Sequence, residues 1–508
     1  MALRYWVSNT GNWDATSTTN WAASSGGSSG AAVPTTSDDV YFDVSSGTGT
    51  VTAVISPDVN SLTSTSTCPL ALTFAGHTLT CETGTLSLSN TGTLNLGNGL
   101  TLNGATALFY VDTSVGAVTS GSCVLAMNGT TDMTMTVNKA LTVKSLTLGS
   151  AAVVIMGGSA TLTLNSNSSI PLTLNANSTF THSNALYLSD NTTGNVWYKD
   201  PTAVWTANGA ITLGVASSGN IISIPGHSDN SPMVIGGTNS VTIAIGAYTD
   251  TFQFTGHQNY GTKAALIYKG QTTGAGIINF NNYNLTCGSL TTGYTVSPTT
   301  GSFVINYSSS AISCTSYSGA GYNNACTQNF QNSQWTVTGN GAVWSYGSTH
   351  TITNGQSCIT FTNSANTAMT IAGAGKSFNN VTFARAASTA AITVTGSNTF
   401  NNITDIGSAA HSLLFTAGTT QSVNSFNVSG TSGKLITINS DTTSAHNLVF
   451  TGPTCAACDY LSVQHSIASP AGTWYAGIYS TNNQDVTVAG SGWVFTAPPN
   501  CFNYFFIS

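Results

Sequence analysis

Two pairs of aspartates invite a catalytic reading: Asp112 with Asp132, and Asp229 with Asp250. Glycan-cleaving sites use two carboxyl groups about 5 Å or about 6.5–9.5 Å apart, one donating a proton while the other attacks or activates water. If the chain winds with a period near the separation within each pair, its members fall on neighbouring coils. Aspartates are equally at home in turns, where the side chain bonds its own backbone. With 16 acidic residues scattered over 508, such spacings also arise by chance. We read them as turn residues and keep Asp229 and Asp250 as the pair to test.

Other residue types offer other chemistry. Cys455-Ala-Ala-Cys458 has the spacing of half a zinc site, which Cys501 and His465 would complete. No second Cys-x-x-Cys occurs, so a pair of small buried residues or a disulfide suits the segment better. Asp38, Asp39 and Asp43 carry the charge for calcium but lack the alternating ligands and glycine of a calcium loop. Capping of the first strand turn fits them better. Trp197, Tyr198 and Trp205 would make a glycan-contact platform if exposed and would fill an enlarged loop if not; the core role is preferred. Phe502, Tyr504, Phe505 and Phe506 crowd four aromatics into one short run. Exposed, they would be an aggregation liability, so they fold back as part of a cap or dock on a partner chain. Docking is favoured. The eight histidines are scattered, with no nucleophile motif or phosphate loop beside them. The expectation is a non-enzyme that needs no metal and no cofactor.

What must position these residues follows from composition. Only 5% of the chain is charged, with 9 basic and 16 acidic residues and a net charge of −7. Globular proteins carry roughly 25%. Glu82 is the only glutamate. Lys, Arg and Glu, all strong helix formers, are nearly missing, while Thr and Val suit strands and Gly and Asn suit turns. The 41% hydrophobic content argues against disorder. Without a basic face, nucleic-acid binding is not expected. No apolar stretch reaches the ~18 residues of a membrane helix. Met1 to Thr19 shows no apolar signal region. Ten cysteines in a chain this long do not form a disulfide framework, and most are expected to be reduced core residues.

Between Ser61 and Gly104, Leu72, Phe74, Leu79, Leu86, Leu88, Leu94, Leu96, Leu100 and Leu102 alternate with polar residues in short runs cut by glycines. Period two marks strands with one buried face. Strands this short and close together leave no room for helical crossovers. A longer period appears from Phe378-Asn-Asn-Val-Thr-Phe383 to Phe400-Asn-Asn-Ile-Thr-Asp405, Val423-Asn-Ser-Phe-Asn-Val428 and Ala445-His-Asn-Leu-Val-Phe450. The runs open at positions 378, 400, 423 and 445, in nearly equal steps. A near-constant period in the twenties is the mark of a solenoid, and ~22 residues hold three short strands with their turns. The predicted fold is all-β, a rod-like parallel β-helix with aromatic-rich caps at both termini. Residues 1–46 form an N-terminal cap or attachment module carrying Trp6, Trp13 and Trp21. Residues 47–450 form the solenoid, with 187–271 irregular and bearing enlarged loops. Residues 451–508 form a C-terminal capping module with Trp474, Trp493 and the aromatic tail.

Three stretches carry a family likeness. Arg4-Tyr-Trp-Val, Gly11-Asn-Trp13, Asn20-Trp21 and Val33-Pro-Thr-Thr-Ser-Asp-Asp-Val-Tyr-Phe-Asp43 resemble the opening module of repetitive β-solenoid surface proteins. These include phage structural proteins and bacterial adhesins of the autotransporter type. Ser377-Phe-Asn-Asn-Val-Thr-Phe383 and Ala417-Gly-Thr-Thr-Gln-Ser-Val423 resemble their coils. Cys458-Asp-Tyr-Leu-Ser-Val463, Trp474-Tyr-Ala-Gly477 and Gly492-Trp-Val-Phe495 resemble the closing module of phage tail and fibre-like proteins. The resemblance covers roughly a third of the chain, at its two ends, and brings no catalytic residues. It implies a virion structural protein, fibre- or tail-associated. It also implies other virion proteins and copies of itself as partners, a homotrimer being usual in the fibres it resembles, and contact with host surface glycan. An autotransporter adhesin should open with a secretion signal and close with a membrane barrel, neither of which is visible. That favours phage, assembled in the host cytoplasm, over a cell-surface adhesin. A polysaccharide depolymerase on a β-helix is the third reading.

Overall fold

A computed structural model of the chain describes residues 1–166, 170–190, 194–214, 221–225, 233–235, 240–245, 251–260, 265–270, 275–294, 302–319, 326–347, 349–482 and 490–499. It is all-β, with parallel sheets forming a β-solenoid and aromatic clusters at both ends. The chain divides into two compact units, Met1–Ala264 and Ala265–Ser508. The division falls inside the segment read from sequence as irregular.

In the first unit the coils are built of short strands shared among the sheets below and a further sheet that starts at Leu141–Val143. One sheet runs through Leu3–Trp6, Asp39–Phe42, Ser61–Ser64, Leu86–Leu88, Leu108–Val111, Met133–Val137, Val153–Gly157, Thr179–His182 and Val204–Ala207. A second runs through Gly11–Trp13, Thr50–Ala53, Ala71–Thr73, Leu94–Asn95 and Val118–Thr119. The third shows why residue type decides orientation. Its register sets Leu79, Leu100, Leu125, Leu146, Leu172 and Trp197 in one file. Every one of them is buried. Their neighbours Thr80, Thr101, Ala126, Thr147, Thr173 and Tyr198 form the adjacent file, turned outward. Side chains alternate across a strand, so stacking in register makes a leucine column inside and a threonine row outside. Each buried leucine contributes about 2 kcal/mol, offset by the chain entropy lost in ordering it. All nine apolar residues expected to face inward between Leu72 and Leu102 are buried.

Coil length follows the turns and is not fixed. The coil that carries Val40 to its partner Leu62 is shorter than the one that carries Phe109 to Met135. One tight corner needs glycine: Gly97 has φ +68°, and a Cβ there would lie 2.1 Å from the Phe74 carbonyl oxygen.

The second unit begins with the same three-strand coil and then changes. The face built by Ala275–Asn279, Ser302–Asn306, Cys326–Asn329 and Thr351–Thr353 stops there. Beyond it, Ser377–Phe383, Thr399–Asp405 and Thr420–Val428 are long strands of 7, 7 and 9 residues. Each bends where two successive residues face outward, at Asn379-Asn380, Asn401-Asn402 and Asn424-Ser425. The Phe-Asn-Asn repeat thus encodes a corner within a strand. Phe378 pairs with Phe400 and Phe400 with Val423, in step with the sequence repeat. The fourth repeat is corrected: Val423 pairs with Phe450 and not with Ala445. Extra residues in the turn at Thr431–Lys434 lengthen that coil.

The terminal tryptophans close the core. Trp21–Ala22 pairs antiparallel with Leu3–Trp6, covering that edge of the first rung. Trp6, Trp13 and Trp21 are buried, with Trp21 edge-on to Trp6 at 5.1 Å and to Trp13 at 5.0 Å. At the other terminus Trp493 sits in register on Trp474, ring centres 5.2 Å apart, and Trp474 meets Phe426. Large aromatics are not confined to the termini. Tyr307, Tyr317, Phe330, Trp335, Trp344 and Tyr346 make a continuous cluster in the second unit.

Candidate functional site

Trp197 and Trp205 take the core role preferred from sequence, and the alternative glycan platform of Trp197, Tyr198 and Trp205 does not form. Trp197 continues the leucine column and Trp205 pairs with Phe180, so both indoles are fully buried, edge-to-face at 5.6 Å. Only Tyr198, on the outward file, is exposed, at 42%. An aromatic following an inward residue must face out. The docking residues Phe502, Tyr504, Phe505 and Phe506 lie outside the described residues, as do Asp229, Asp250 and Cys501.

Asp112 and Asp132 share no rung. Val111 pairs with Val137, which places Asp112 beside Asn138 rather than Asp132. Asp112 accepts hydrogen bonds from the Tyr110 hydroxyl and from Ser114 N at 2.8 Å. Those bonds hold its pKa down at about 2, that of an ordinary turn anion. The three N-terminal aspartates have separate partners. Asp38 accepts from Ala2 N and Thr35, Asp39 from Asn60 and Ser61, and Asp43 caps the short 3-10 turn Val44–Ser46. Cys455 is disulfide-bonded, while Cys458 is a free, buried thiol, so the Cys-x-x-Cys spacing does not present two thiolates together. Among the described residues no three His, Cys, Asp or Glu gather.

Sequence reasoning missed one carboxyl pair. Asp58 and Glu82 lie on adjacent rungs of the third sheet, Asp58–Val59 pairing with Thr80–Cys81. Desolvation, and then the neighbouring Glu82 carboxylate, raise the Asp58 pKa. Asn103 Nδ2 donates to Glu82 Oε2 at 3.1 Å and Asn128 Nδ2 to Asn103 Oδ1 at 2.9 Å, extending the ladder. A coil length allowed to vary from turn to turn would have revealed the pair.

The strongest polar groups lie inside the coils. His446 is fully buried between Ser440 and Ser466. The Ser440 hydroxyl donates to the His465 carbonyl at 3.2 Å, so it must accept from His446 Nδ1 at 3.0 Å. That leaves Nε2 to accept from the Ser466 hydroxyl at 3.1 Å, and Ser466 accepts from Trp493 Nε1. Although a serine facing a neutral imidazole resembles an activated nucleophile, Ser466 points into the core and is 2% exposed. Its role is to tie the closing tryptophan down. Asp405 and His411 form a buried pair at 2.7 Å whose second imidazole nitrogen bonds the Ala409 carbonyl. With both nitrogens engaged, His411 cannot serve as a base. Arg385, 2% exposed, donates to the carbonyls of Asn363, Ala390, Ala365 and Thr367. Gln328 gathers the Tyr307 and Tyr317 hydroxyls, Thr292 and His350 around one amide.

The outer surface carries the most regular polar arrangement. Asn401 Nδ2 donates to Asn379 Oδ1 and Asn424 Nδ2 to Asn401 Oδ1, each at 3.1 Å. Beside this file Asn402 bonds Asn380. Both files end at an open cleft of about 350 Å³ lined by Asn402, Asn424, Ser425, Asn427, Phe450 and Thr454, among others. The residue lying against Asn424 on the next coil is Gly452, where a Cβ would fall 2.2 Å from the Asn424 carbonyl oxygen, so no asparagine continues the file. Comparison of the chain with protein-family models, with curated proteins and with solved structures gave no match.

Proposed function

We propose that the protein is a structural component of a phage virion, fibre- or tail-associated, whose coils form a neutral scaffold that contacts the host surface. The observation that carries this reading is the in-register stack itself. Its outward files are threonine and asparagine, and its strongest polar groups are spent on holding coils and caps together. A surface with so few ionised side chains stacks identical rungs without like-charge repulsion. Among the described residues Asp112 and Asp132 are kept apart by the register. That supports a mechanical rather than a hydrolytic role. The terminal modules resembling those of phage tail and fibre proteins support the virion setting, with other virion proteins and further copies of the chain as partners.

The test uses antibodies raised against the purified chain, applied as immunogold to virions and to intact cells of the culture that carries the gene. Gold on tails or fibres is the expected result. Gold on the cell envelope with bare virions would replace this reading with a surface adhesin. New reducing ends after incubation with host polysaccharide would replace it with a depolymerase.

A further inference from the structure

We propose that the cleft at the end of the asparagine files is a saccharide subsite, taking a neutral terminal sugar of a host-surface glycan. The inference takes its setting from the proposed function, but the binding itself is a property of the isolated chain.

The polarity of the file points to a ligand. Asn379 Nδ2 donates to the Ser357 carbonyl, Asn401 donates to Asn379, and Asn424 donates to Asn401. Every amide gives its proton toward the same end. The last one, Asn424, therefore presents Oδ1 to the cleft with no partner among the described residues, together with its second N–H. Hydrogen bonds in chains polarise one another, so this terminal oxygen is a better acceptor than an isolated amide. Asn402, Ser425, Asn427 and Thr454 add amide and hydroxyl groups around it. No lining residue is charged. Amides and hydroxyls both donate and accept, which matches the hydroxyls of a neutral sugar and gives no preference for an ion. Phe450, 6% exposed, supplies a narrow apolar floor for the C–H side of a ring.

Shape selects among uncharged ligands. The volume is at the lower end of small-ligand sites, ~300–1,000 Å³. A peptide would bind most simply by adding a strand along the edge of Thr420–Val428. That edge is already engaged, because Thr420–Val423 pairs with Asn447–Phe450 and the Cys458 thiol donates to the Phe426 carbonyl at 3.8 Å. A strand therefore has little free edge to add to, whereas the end of a branched or linear glycan needs none. Pro453 and the disulfide-bonded Cys455 stiffen the wall, which lowers the ordering cost of binding.

The experiment is saturation-transfer NMR and calorimetric titration of the purified full chain. The probes are neutral oligosaccharides of hexose and N-acetylhexosamine units, sialylated and uronate oligomers, and an extended peptide of Thr, Asn and Val. We expect at least one neutral saccharide to bind. Asn424→Ala and Asn427→Ala should each weaken it about tenfold, and Asn427→Trp, which fills the cleft, should abolish it. Asn379→Ala, two rungs away, should leave it within about twofold. Unchanged circular dichroism and melting would exclude misfolding of a variant. Binding of none of the neutral saccharides, binding that survives Asn427→Trp, or binding of the peptide alone would overturn the proposal. Lost binding with gold still on virion tails fails the cleft alone; binding retained with bare virions fails the virion assignment alone.

Discussion

Acidification should loosen the C-terminal closure through His446. In the fold this imidazole is neutral, because Ser440 and Ser466 leave it one donor and one acceptor position. Burial lowers its pKa to about 4; the Asp441 charge opposes the shift and His465 adds to it. The unfolded value is ~6.5. A folded pKa below the unfolded one means the unfolded chain binds the proton first. The stability held by neutral His446 is therefore complete above pH ~6.5 and lost progressively down to about 4. Each pKa unit is worth ~1.4 kcal/mol, so at pH 4.5 the loss is about 2–3 kcal/mol, on the order of a hundredfold in local opening. Hydrogen exchange of Ile436–Ser440, His446–Phe450 and Ser466–Ser469, corrected for intrinsic rates, at pH 7.5 and 4.5 reads this directly. Protection should fall by that factor in the native chain, and the fall should be absent in His446→Gln. Equal protection at the two pH values, or the same fall in the variant, would refute the assignment of a neutral buried histidine as the latch.

Three further outcomes follow from the geometry. Arg385→Met removes four hydrogen bonds, three to carbonyls of the preceding coil and one to Ala390 in its own turn. At ~0.5–1.5 kcal/mol each this should cost about 2–6 kcal/mol in urea unfolding, with faster exchange at 363–368 and 385–390. At His411 burial alone would lower the pKa, but the hydrogen bond and charge of Asp405 outweigh it and raise the value. Asp405→Asn should therefore cost about 3 kcal/mol at pH 6 and progressively less as pH rises through the raised pKa, in paired melts at each pH. Gly97→Ala puts a Cβ against the Phe74 carbonyl at positive φ and should cost about 2 kcal/mol or more, whereas Gly121→Ala, with nothing within 4 Å, should be close to neutral.

The fold was legible wherever a strand obeys period two. Leu79, Leu100 and Leu102 declare their face from sequence alone, and the Phe-Asn-Asn repeats declare the coil period. Register was harder, because it depends on how many residues each turn consumes. The insertion near Thr431 moved Phe450 opposite Val423, and no local pattern announces that. Polar residues that face inward were the least visible. Arg385, Gln328 and His446 look like surface residues until the coil one rung away supplies the partner that permits their burial. The same holds for Trp197: only its place after Leu172 in the stack turns it inward. Of the candidate site, the asparagines were visible as a repeat motif. The cleft was not, since it depends on which residue the turn after Phe450 sets against Asn424, and that residue is a glycine, Gly452.

Stacking in register is the claim on which the rest depends, and paired cysteines on the outer files test it most directly. Thr80 and Thr101 are opposed in the first unit, and Thr382 and Thr404 in the second. Strands ~4.8 Å apart bring such pairs within disulfide reach, whereas a diagonal pair two residues off lies at or beyond the ~7 Å limit. Mild oxidation followed by mass spectrometry should find the 80–101 and 382–404 crosslinks. It should find none between positions 78 and 101 or between 380 and 404. Crosslinks in the diagonal pairs with none in the opposed ones would contradict the solenoid.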